Sequence, residues 1–220
     1  MISEKEFKES REKLIEGIRQ KGIKNEKILD AMKRIPRELF VDSSFTKKAY
    51  EDTALPIECG QTISQPYTVA FMTNLLNVKQ GDKILEIGTG SGYQATLLYM
   101  LGAEVYTIER HEGLFNKSDQ FFKKYNIKVN NFLGDGSLGL PDKAPFDGII
   151  VTAAAPNISS ILKKQLLTMG KLVIPVGEEK GQKMYLIERM GENTFNESNK
   201  GNFKFVPLVG KKGFTEKWNK

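Results

Sequence analysis

One short segment restricts the fold of this chain more than any other: a run of glycines directly after a buried strand. Residues 84–93 read Ile-Leu-Glu-Ile-Gly-Thr-Gly-Ser-Gly-Tyr, which places glycines at 88, 90 and 92. Because glycine lacks a Cβ atom, the backbone at such positions can approach a ligand closely. A strand, a glycine turn and a following helix together predict an α/β unit that binds a nucleoside-containing cofactor.

Two acidic residues indicate which cofactor this is. Glu109 closes the next apolar run, 17 residues after Gly92, where a carboxylate can accept hydrogen bonds from a ribose diol. Glu86 stands two residues before the first glycine, where it would repel a pyrophosphate but attract a sulfonium or an ammonium group. Tyr93 also replaces the third glycine of the dinucleotide fingerprint. The pattern predicts an S-adenosyl-L-methionine site; the alternative is that the glycines form only a tight turn.

The rest of the chain alternates apolar strands with amphipathic helices. Strands are expected near 83–87, 104–109, 127–133, 146–152, 171–176, 184–190 and 203–208. Helices are expected near 92–101, 112–124 and 157–168. This alternation predicts an α/β fold with a doubly wound, mostly parallel seven-stranded sheet. The last two strands lack a helix between them, so they are expected to form an antiparallel edge.

We expect residues 1–220 to form a single domain in three parts. Residues 1–56 read as an N-terminal helical extension, and residues 57–82 as a loop and a helix that serve the substrate. Residues 83–210 are expected to form the Rossmann-like cofactor-binding core.

Composition limits the partners and the compartment. The single cysteine, Cys59, excludes an internal disulfide and fits a reducing cytoplasm. No run approaches about 18 apolar residues, so no membrane span is expected. The net charge of +6 admits nucleic acid as a partner, but the lysines are scattered instead of forming a stripe. We therefore expect neither a membrane nor a nucleic-acid partner, and we take the basic tail, Lys211 to Lys220, as solvated.

The tips of the third and fourth strands are expected to face the ligand. Asp135 can reach an adenine amino group, and the N–H of Gly136 can meet a ring nitrogen; the alternative is an ordinary Asp-Gly turn. Residues 152–156 offer few chemical groups, which argues against methylation of a nucleic-acid base. His111 is expected only to begin a helix, and no Cys or His cluster has metal-ligand spacing, so no metal is expected.

The loop at residues 55–66, Leu-Pro-Ile-Glu-Cys-Gly-Gln-Thr-Ile-Ser-Gln-Pro, resembles the signature of protein-L-isoaspartate (D-aspartate) O-methyltransferases. Further motifs of that family stand at 134–136, 144–147, 152–156 and 172–177, and the matches run in order from about residue 11 to residue 213. The chain departs from the family at Glu58, where glycine is usual, and the end from Phe214 to Lys220 matches poorly.

The resemblance implies a repair enzyme that methylates the α-carboxylate of L-isoaspartyl residues in damaged proteins and peptides, giving an ester that collapses to a succinimide. Ser64 is then the catalytic residue that orients the carboxylate, unless it only caps the following helix, and the substrate is enclosed by Thr62, Ile63 and Ser64. S-adenosyl-L-methionine, which leaves as S-adenosyl-L-homocysteine, is expected to be bound by the residues at the strand tips: Glu86, Gly88, Thr89, Gly90, Ser91, Gly92, Glu109, Asp135 and Gly136.

We also expect a cytoplasmic monomer that needs no metal. Two other functions remain open at the level of the residues. One is a methyltransferase that acts on a small molecule or on RNA, and the other is a cofactor-binding protein without transferase activity.

Overall fold

The structure is a computed structural model that describes residues 3–178 and 181–215. Its α-helices are α1 (Glu4–Gln20), α2 (Glu26–Arg34), α3 (Pro66–Leu76), α4 (Tyr93–Met100), α5 (Glu112–Lys124) and α6 (Ser160–Lys164). Two short strands, β1 (Leu55–Pro56) and β2 (Thr62–Ile63), precede the main sheet. The main sheet contains β3 (Lys83–Ile87), β4 (Glu104–Glu109), β5 (Val129–Leu133), β6 (Phe146–Val151), β7 (Leu166–Glu178), β8 (Gly181–Arg189) and β9 (Phe195–Phe203).

The main sheet has the order β5-β4-β3-β6-β7-β8-β9. The strands from β3 to β7 pair in parallel, whereas β8 is antiparallel to both of its neighbours. The chain builds outward from β3 to β5 and then returns to β6 on the other side of β3. The strand order therefore reverses at the carboxyl ends of β3 and β6, where sheets of this kind bind ligands. The predicted doubly wound, mostly parallel seven-stranded sheet with an antiparallel edge is confirmed.

Two predicted elements differ from the structure before β8. The helix expected over 157–168 is limited to α6, and β7 begins at Leu166 instead of near residue 171. Leu166 already pairs with Phe146 of β6, and the register then shifts before Lys171 pairs with Gly148. The apolar run after residue 160 satisfied a helical pattern, but pairing with a buried neighbouring strand determines its conformation.

The strand expected near 203–208 was wrong. The last strand, β9, ends at Phe203, and its sequence Phe-Asn-Glu-Ser-Asn-Lys-Gly-Asn-Phe is polar because it forms an exposed edge. The following residues cross the carboxyl end of the sheet instead. The Ala154 N–H donates to the Val206 carbonyl at 2.8 Å, and the Leu208 N–H donates to the Ala154 carbonyl at 2.7 Å.

A small hairpin positions the loop before α3. Leu55 of β1 pairs with Ile63 of β2, so Ser64 follows the hairpin directly. Helix α3 then begins at Pro66, as proline at a first helical position predicts.

The N-terminal helices pack on this loop and on α4. Their buried side chains, which include Ile18, Leu29 and Met32, share one hydrophobic cluster with Ile63 and Leu97. Within the described residues, no helix is long and apolar enough to cross a membrane.

Leu97→Ala should test whether the helical extension is part of the cooperative core. Leu97 is fully buried in the shared cluster, so the truncation is expected to lower the free energy of unfolding by about 2–5 kcal/mol. Urea titration followed by circular dichroism measures this. Leu39→Ala, at a side chain that is 44% exposed, is the matched control and should cost less than about 0.5 kcal/mol. Equal losses in both variants would contradict the shared core.

Candidate active site

The glycine turn links β3 to α4, and two of its glycines are required for different reasons. Gly88 has a φ of 98°, and a Cβ atom there would collide with the hydroxyl of Thr152. Gly90 has a φ of 51°, a left-handed conformation that costs a branched side chain energy. The turn therefore takes a shape that leaves its backbone open to a ligand.

Thr152 holds the turn in place from the neighbouring strand tip. Its hydroxyl lies 2.7 Å from the carbonyl of Gly88 and 3.0 Å from that of Ile87. The segment after β6 therefore does have a role, which sequence reasoning missed. A hydroxyl at the carboxyl end of a strand adjacent to the glycine turn was the available signal.

Glu86 lies beneath the turn and is completely buried. Its Oε2 accepts a 2.5 Å hydrogen bond from the hydroxyl of Thr107, which shares a 2.7 Å hydrogen bond with the hydroxyl of Thr89. No partner for Oε1 is found among the described residues. Burial raises the pKa of Glu86 to about 8; the Thr107 bond opposes this shift, and the charge of Glu109 adds to it. A buried acceptor without a partner is costly, and a cationic ligand would satisfy it.

Glu109 ends β4 with its carboxylate facing the turn. Oε2 accepts a hydrogen bond from the Gly90 N–H at 2.9 Å, and Oε1 accepts one from the His111 N–H at 2.9 Å. Each carboxylate oxygen has capacity for a further hydrogen bond, so both can still accept from a ligand hydroxyl. His111, which begins α5 as predicted, thereby also contributes its backbone to the site.

Asp135 and Gly136 follow β5. The Asp135 carboxylate is engaged by hydrogen bonds within the protein. The Asp135 carboxylate accepts hydrogen bonds from the N–H and hydroxyl of Ser137 at 2.9 and 2.6 Å, and from the N–H of Lys211 at 2.7 Å. Burial raises its pKa, but these hydrogen bonds outweigh burial and lower it overall. Asp135 thus anchors the segment after β9, and its contact with an adenine amino group stays a prediction.

Ser64 lies at the end of the β1–β2 hairpin and lines a cavity that Glu86 and Gly90 also line. The helix-capping alternative is not observed, since the cap of α3 is Gln65, without a side-chain cap bond. No hydrogen bond of the Ser64 hydroxyl is found within the described part of the chain. The backbone of Ser64 is nevertheless fixed, because its carbonyl accepts a 2.8 Å hydrogen bond from Nη2 of Arg37.

Arg37 is a functional candidate that the sequence did not reveal. It is 1% exposed, its Nε donates to the Ala49 carbonyl at 3.0 Å, and its guanidinium lies 4.9 Å from the ring centroid of Tyr93. Burial lowers its pKa, and the nearby Tyr93 and Asp52 oppose that shift. Arg37 therefore joins the Ser64 loop to the first residue of α4.

Two adjoining cavities bring most of the predicted residues together. The first is lined by the predicted residues Thr62, Ile63, Ser64, Glu86, Gly88, Thr89, Gly90 and Ser91. The second is lined by the predicted residues Thr62, Gly88, Gly90, Glu109 and Gly136. Gly92 and Asp135 line neither cavity.

Other lining residues of these cavities were missed. Gln94 lines the first cavity, and residues 206–209 form a wall of the second. In the described ranges, no group of three or more His, Cys, Asp or Glu side chains could hold a metal ion.

The loop accommodates Glu58, where the family usually has glycine, because the backbone at that position does not require a glycine. The positive φ of the loop falls on Cys59 (57°) and Gly60 (65°), not on Glu58. The Glu58 carboxylate lies 2.6 Å from the ammonium of Lys117 on α5. Both side chains are more than half exposed, so this ion pair adds little stability.

Comparison with known proteins gives consistent matches over nearly the whole chain. The model of the family described as protein-L-isoaspartate(D-aspartate) O-methyltransferase (PCMT) matches residues 9–213. A protein-L-isoaspartate O-methyltransferase of Flavobacterium psychrophilum is 56% identical over 200 residues, which cover 90% of this chain and 93% of the relative. A Chlorobium limicola protein of the same name is 48% identical over 219 residues, 99% of each chain.

A solved structure with the same fold comes from Plasmodium falciparum. It is described as a β-aspartate methyltransferase (PCMT) in complex with S-adenosyl-L-homocysteine. The two chains superpose with a TM-score of 0.78 at 26% identity, over 90% of this chain and 97% of that one.

The glycine turn, the acids at the tips of β3 and β4 and the order of the sheet define a class I S-adenosylmethionine-dependent methyltransferase fold. The family match and the curated relatives both extend over about nine-tenths of the sequence or more. The chain therefore belongs to the protein-L-isoaspartate (D-aspartate) O-methyltransferase family. The predicted family, fold class, enzyme type and cofactor are confirmed, whereas the roles of individual site residues stay predictions.

Glu86→Gln tests the electrostatic state of the buried carboxyl in the ligand-free protein. The native pKa is raised to about 8 from the ordinary value of 4.5, so between these values the native state holds a proton that the unfolded chain has lost. Stability should therefore fall as the pH rises through this window, and the amide should remove the effect.

We expect Glu86→Gln to raise the melting temperature near pH 9 by roughly 5 °C and to leave it almost unchanged near pH 5. Scanning calorimetry at a series of pH values measures both. The same pH dependence in wild type and variant would contradict a raised pKa.

Proposed function

We propose that this chain transfers a methyl group to the α-carboxylate of L-isoaspartyl residues in damaged proteins and peptides. The observation that carries the proposal is that Ser64, Glu86 and the glycine turn line one cavity, and that Oε1 of Glu86 has no partner among the described residues. S-adenosyl-L-methionine supplies the methyl group on a positively charged sulfur and leaves as S-adenosyl-L-homocysteine. The methyl ester so formed collapses to a succinimide.

Glu86 and Glu109 hold two different parts of the cofactor in this proposal. The unpartnered oxygen of Glu86 suits the cationic methionine part, and the carboxylate of Glu109 suits the ribose hydroxyls. Side chains would distort the glycine turn between them, because a Cβ atom at 88 would collide with Thr152 and Gly90 has a left-handed backbone. Gly136 lines the same cavity as Glu109, and its N–H is proposed to meet the adenine ring.

Ser64 is proposed as the residue that orients the substrate carboxylate. A carboxylate is already ionised at neutral pH, so the transfer requires no general base. The oxygen forms the new bond to the methyl carbon as the carbon–sulfur bond breaks, and the electron pair of that bond stays on sulfur. Catalysis then depends on alignment and on exclusion of water. Ser64 can donate its O–H to the second carboxylate oxygen, while Thr62 and Ile63 enclose the substrate.

We further propose a cytoplasmic monomer that does not bind nucleic acid, with the division into residues 1–56, 57–82 and 83–210 given above. The exposed, unpaired thiol of Cys59 supports a reducing compartment. Light scattering during size-exclusion chromatography tests whether the protein is a monomer.

Glu109→Ala should weaken the binding of S-adenosyl-L-homocysteine by about 1.5–3 kcal/mol, since it removes a charged hydrogen-bond acceptor. Isothermal titration calorimetry measures the dissociation constant, and circular dichroism checks the fold. Glu104→Ala, at the exposed beginning of the same strand, is the control and should bind normally. An unchanged dissociation constant in Glu109→Ala would remove this residue from the cofactor site.

An L-isoaspartyl peptide should be methylated at least about 100-fold faster than its L-aspartyl twin. The two differ by the position of one methylene, which moves the nucleophilic carboxylate relative to the flanking chain. The rates are measured as labelled methanol released from the base-labile methyl ester. Ser64→Ala should lower kcat on the isoaspartyl peptide and leave cofactor affinity within a few-fold, because its proposed partner is the substrate. Equal rates on both peptides, or preferred methylation of RNA, would favour a different methyltransferase activity.

A further inference from the structure

A large open groove begins beside Ser64 and extends away from the cofactor cavities. One side is formed by residues 52–54 and by several residues of the range 62–71. The other side is formed by residues 200–206. Its volume is about 1180 Å³, larger than most sites for small molecules. The isoaspartyl residue alone cannot fill this space, so the groove has room for the residues that flank it.

The wall of the groove contains a row of partly buried aromatic side chains. The ring centroids of Tyr67 and Phe71 are 5.9 Å apart, and those of Phe71 and Phe203 are 5.1 Å apart. These rings join α3 to the end of β9. They give an extended peptide an apolar surface but do not select between charged residues.

The charge of the groove comes from two lysines. Lys200 and Lys204 both line it, and neither forms an ion pair with any described residue. Asp52 is the acidic residue in the lining, but Lys21 lies 2.5 Å from its Oδ2 and the Tyr67 N–H donates to its Oδ1 at 2.8 Å. The carboxylate of Asp52 is thus already compensated, and the described lining has an excess of positive charge.

We propose that this groove binds the peptide on either side of the isoaspartyl residue and favours acidic flanking residues, with Lys200 and Lys204 as the specificity-determining side chains. This inference rests on the function proposed above. Because both lysines lie on the rim, they act through screened electrostatic attraction and through the rate of encounter.

Three isoaspartyl peptides of one length, with glutamate, glutamine or lysine at the flanking positions, test the proposal. We expect kcat/KM for the glutamate peptide to exceed that for the lysine peptide by about 3–10-fold at low salt, and the difference to shrink at about 0.5 M NaCl. Lys200→Glu/Lys204→Glu should reverse the order of the two charged peptides and leave the glutamine peptide within about two-fold.

Lys124→Glu/Lys128→Glu is the matched control. It makes the same change in net charge near β5, the strand at the opposite edge of the sheet from β9. This control should keep the preference for the glutamate peptide. Equal kcat/KM for all three peptides, or equal effects of both double variants, would overturn the proposal.

A binding measurement separates this inference from the proposed function. Fluorescence anisotropy with labelled peptides, in the presence of S-adenosyl-L-homocysteine, reports the charge preference without turnover. If no isoaspartyl peptide is methylated, the proposed function fails. If the peptides are methylated but bind with no charge preference, only the specificity assigned to Lys200 and Lys204 fails.

Discussion

The contact between Gly88 and Thr152 joins the two strands on which the whole site is built. β3 and β6 lie side by side at the reversal of the strand order, and the Thr152 hydroxyl bonds to carbonyls at the end of β3. A side chain at position 88 would separate them. Because Thr152 fixes the turn, the Gly90 N–H can donate to Glu109. The loop that carries Ser64 lies at the same cavity as the turn. Displacement of this one contact would move the glycine turn and, with it, the Gly90 N–H that bonds to Glu109.

Electrostatics at the site are arranged for a positively charged ligand that meets a negatively charged substrate. Glu86 is buried at a cost that raises its pKa to about 8, whereas Arg37 is buried near Ser64 without a carboxylate partner among the described residues. Glu86 lines the same cavity as Ser64, and Arg37 donates a hydrogen bond to the Ser64 carbonyl. Neither arrangement adds to stability by itself. Both suit a reaction in which a positively charged ligand and a negatively charged substrate approach each other with water excluded.

The parts of the site that the sequence predicted are those with local patterns. Glu86, the glycines and Glu109 follow from strand ends and spacing, and Ser64 follows from a family motif. The segment after β9 could not be predicted, because its hydrogen bonds go to Ala154 and Asp135, far away in the sequence. The edge strand β9 was missed since a strand exposed to solvent needs no apolar alternation. Arg37 gave no signal either, because a buried guanidinium looks like any surface arginine in a sequence.

The segment at 206–209 has a consequence for the lifetime of the protein as well as for its chemistry. It walls the second cavity, where Val206 and Leu208 share two backbone hydrogen bonds with Ala154, and the N–H of Lys211 just beyond it donates to the carboxylate of Asp135. A ligand in that cavity would contact this wall as well as the glycine turn, because both line the cavity. Ligand binding would therefore disfavour local opening of the wall, by a free energy that rises with the logarithm of ligand concentration above the dissociation constant. The rate of proteolytic cleavage within residues 206–209 would then fall as the cofactor concentration rises.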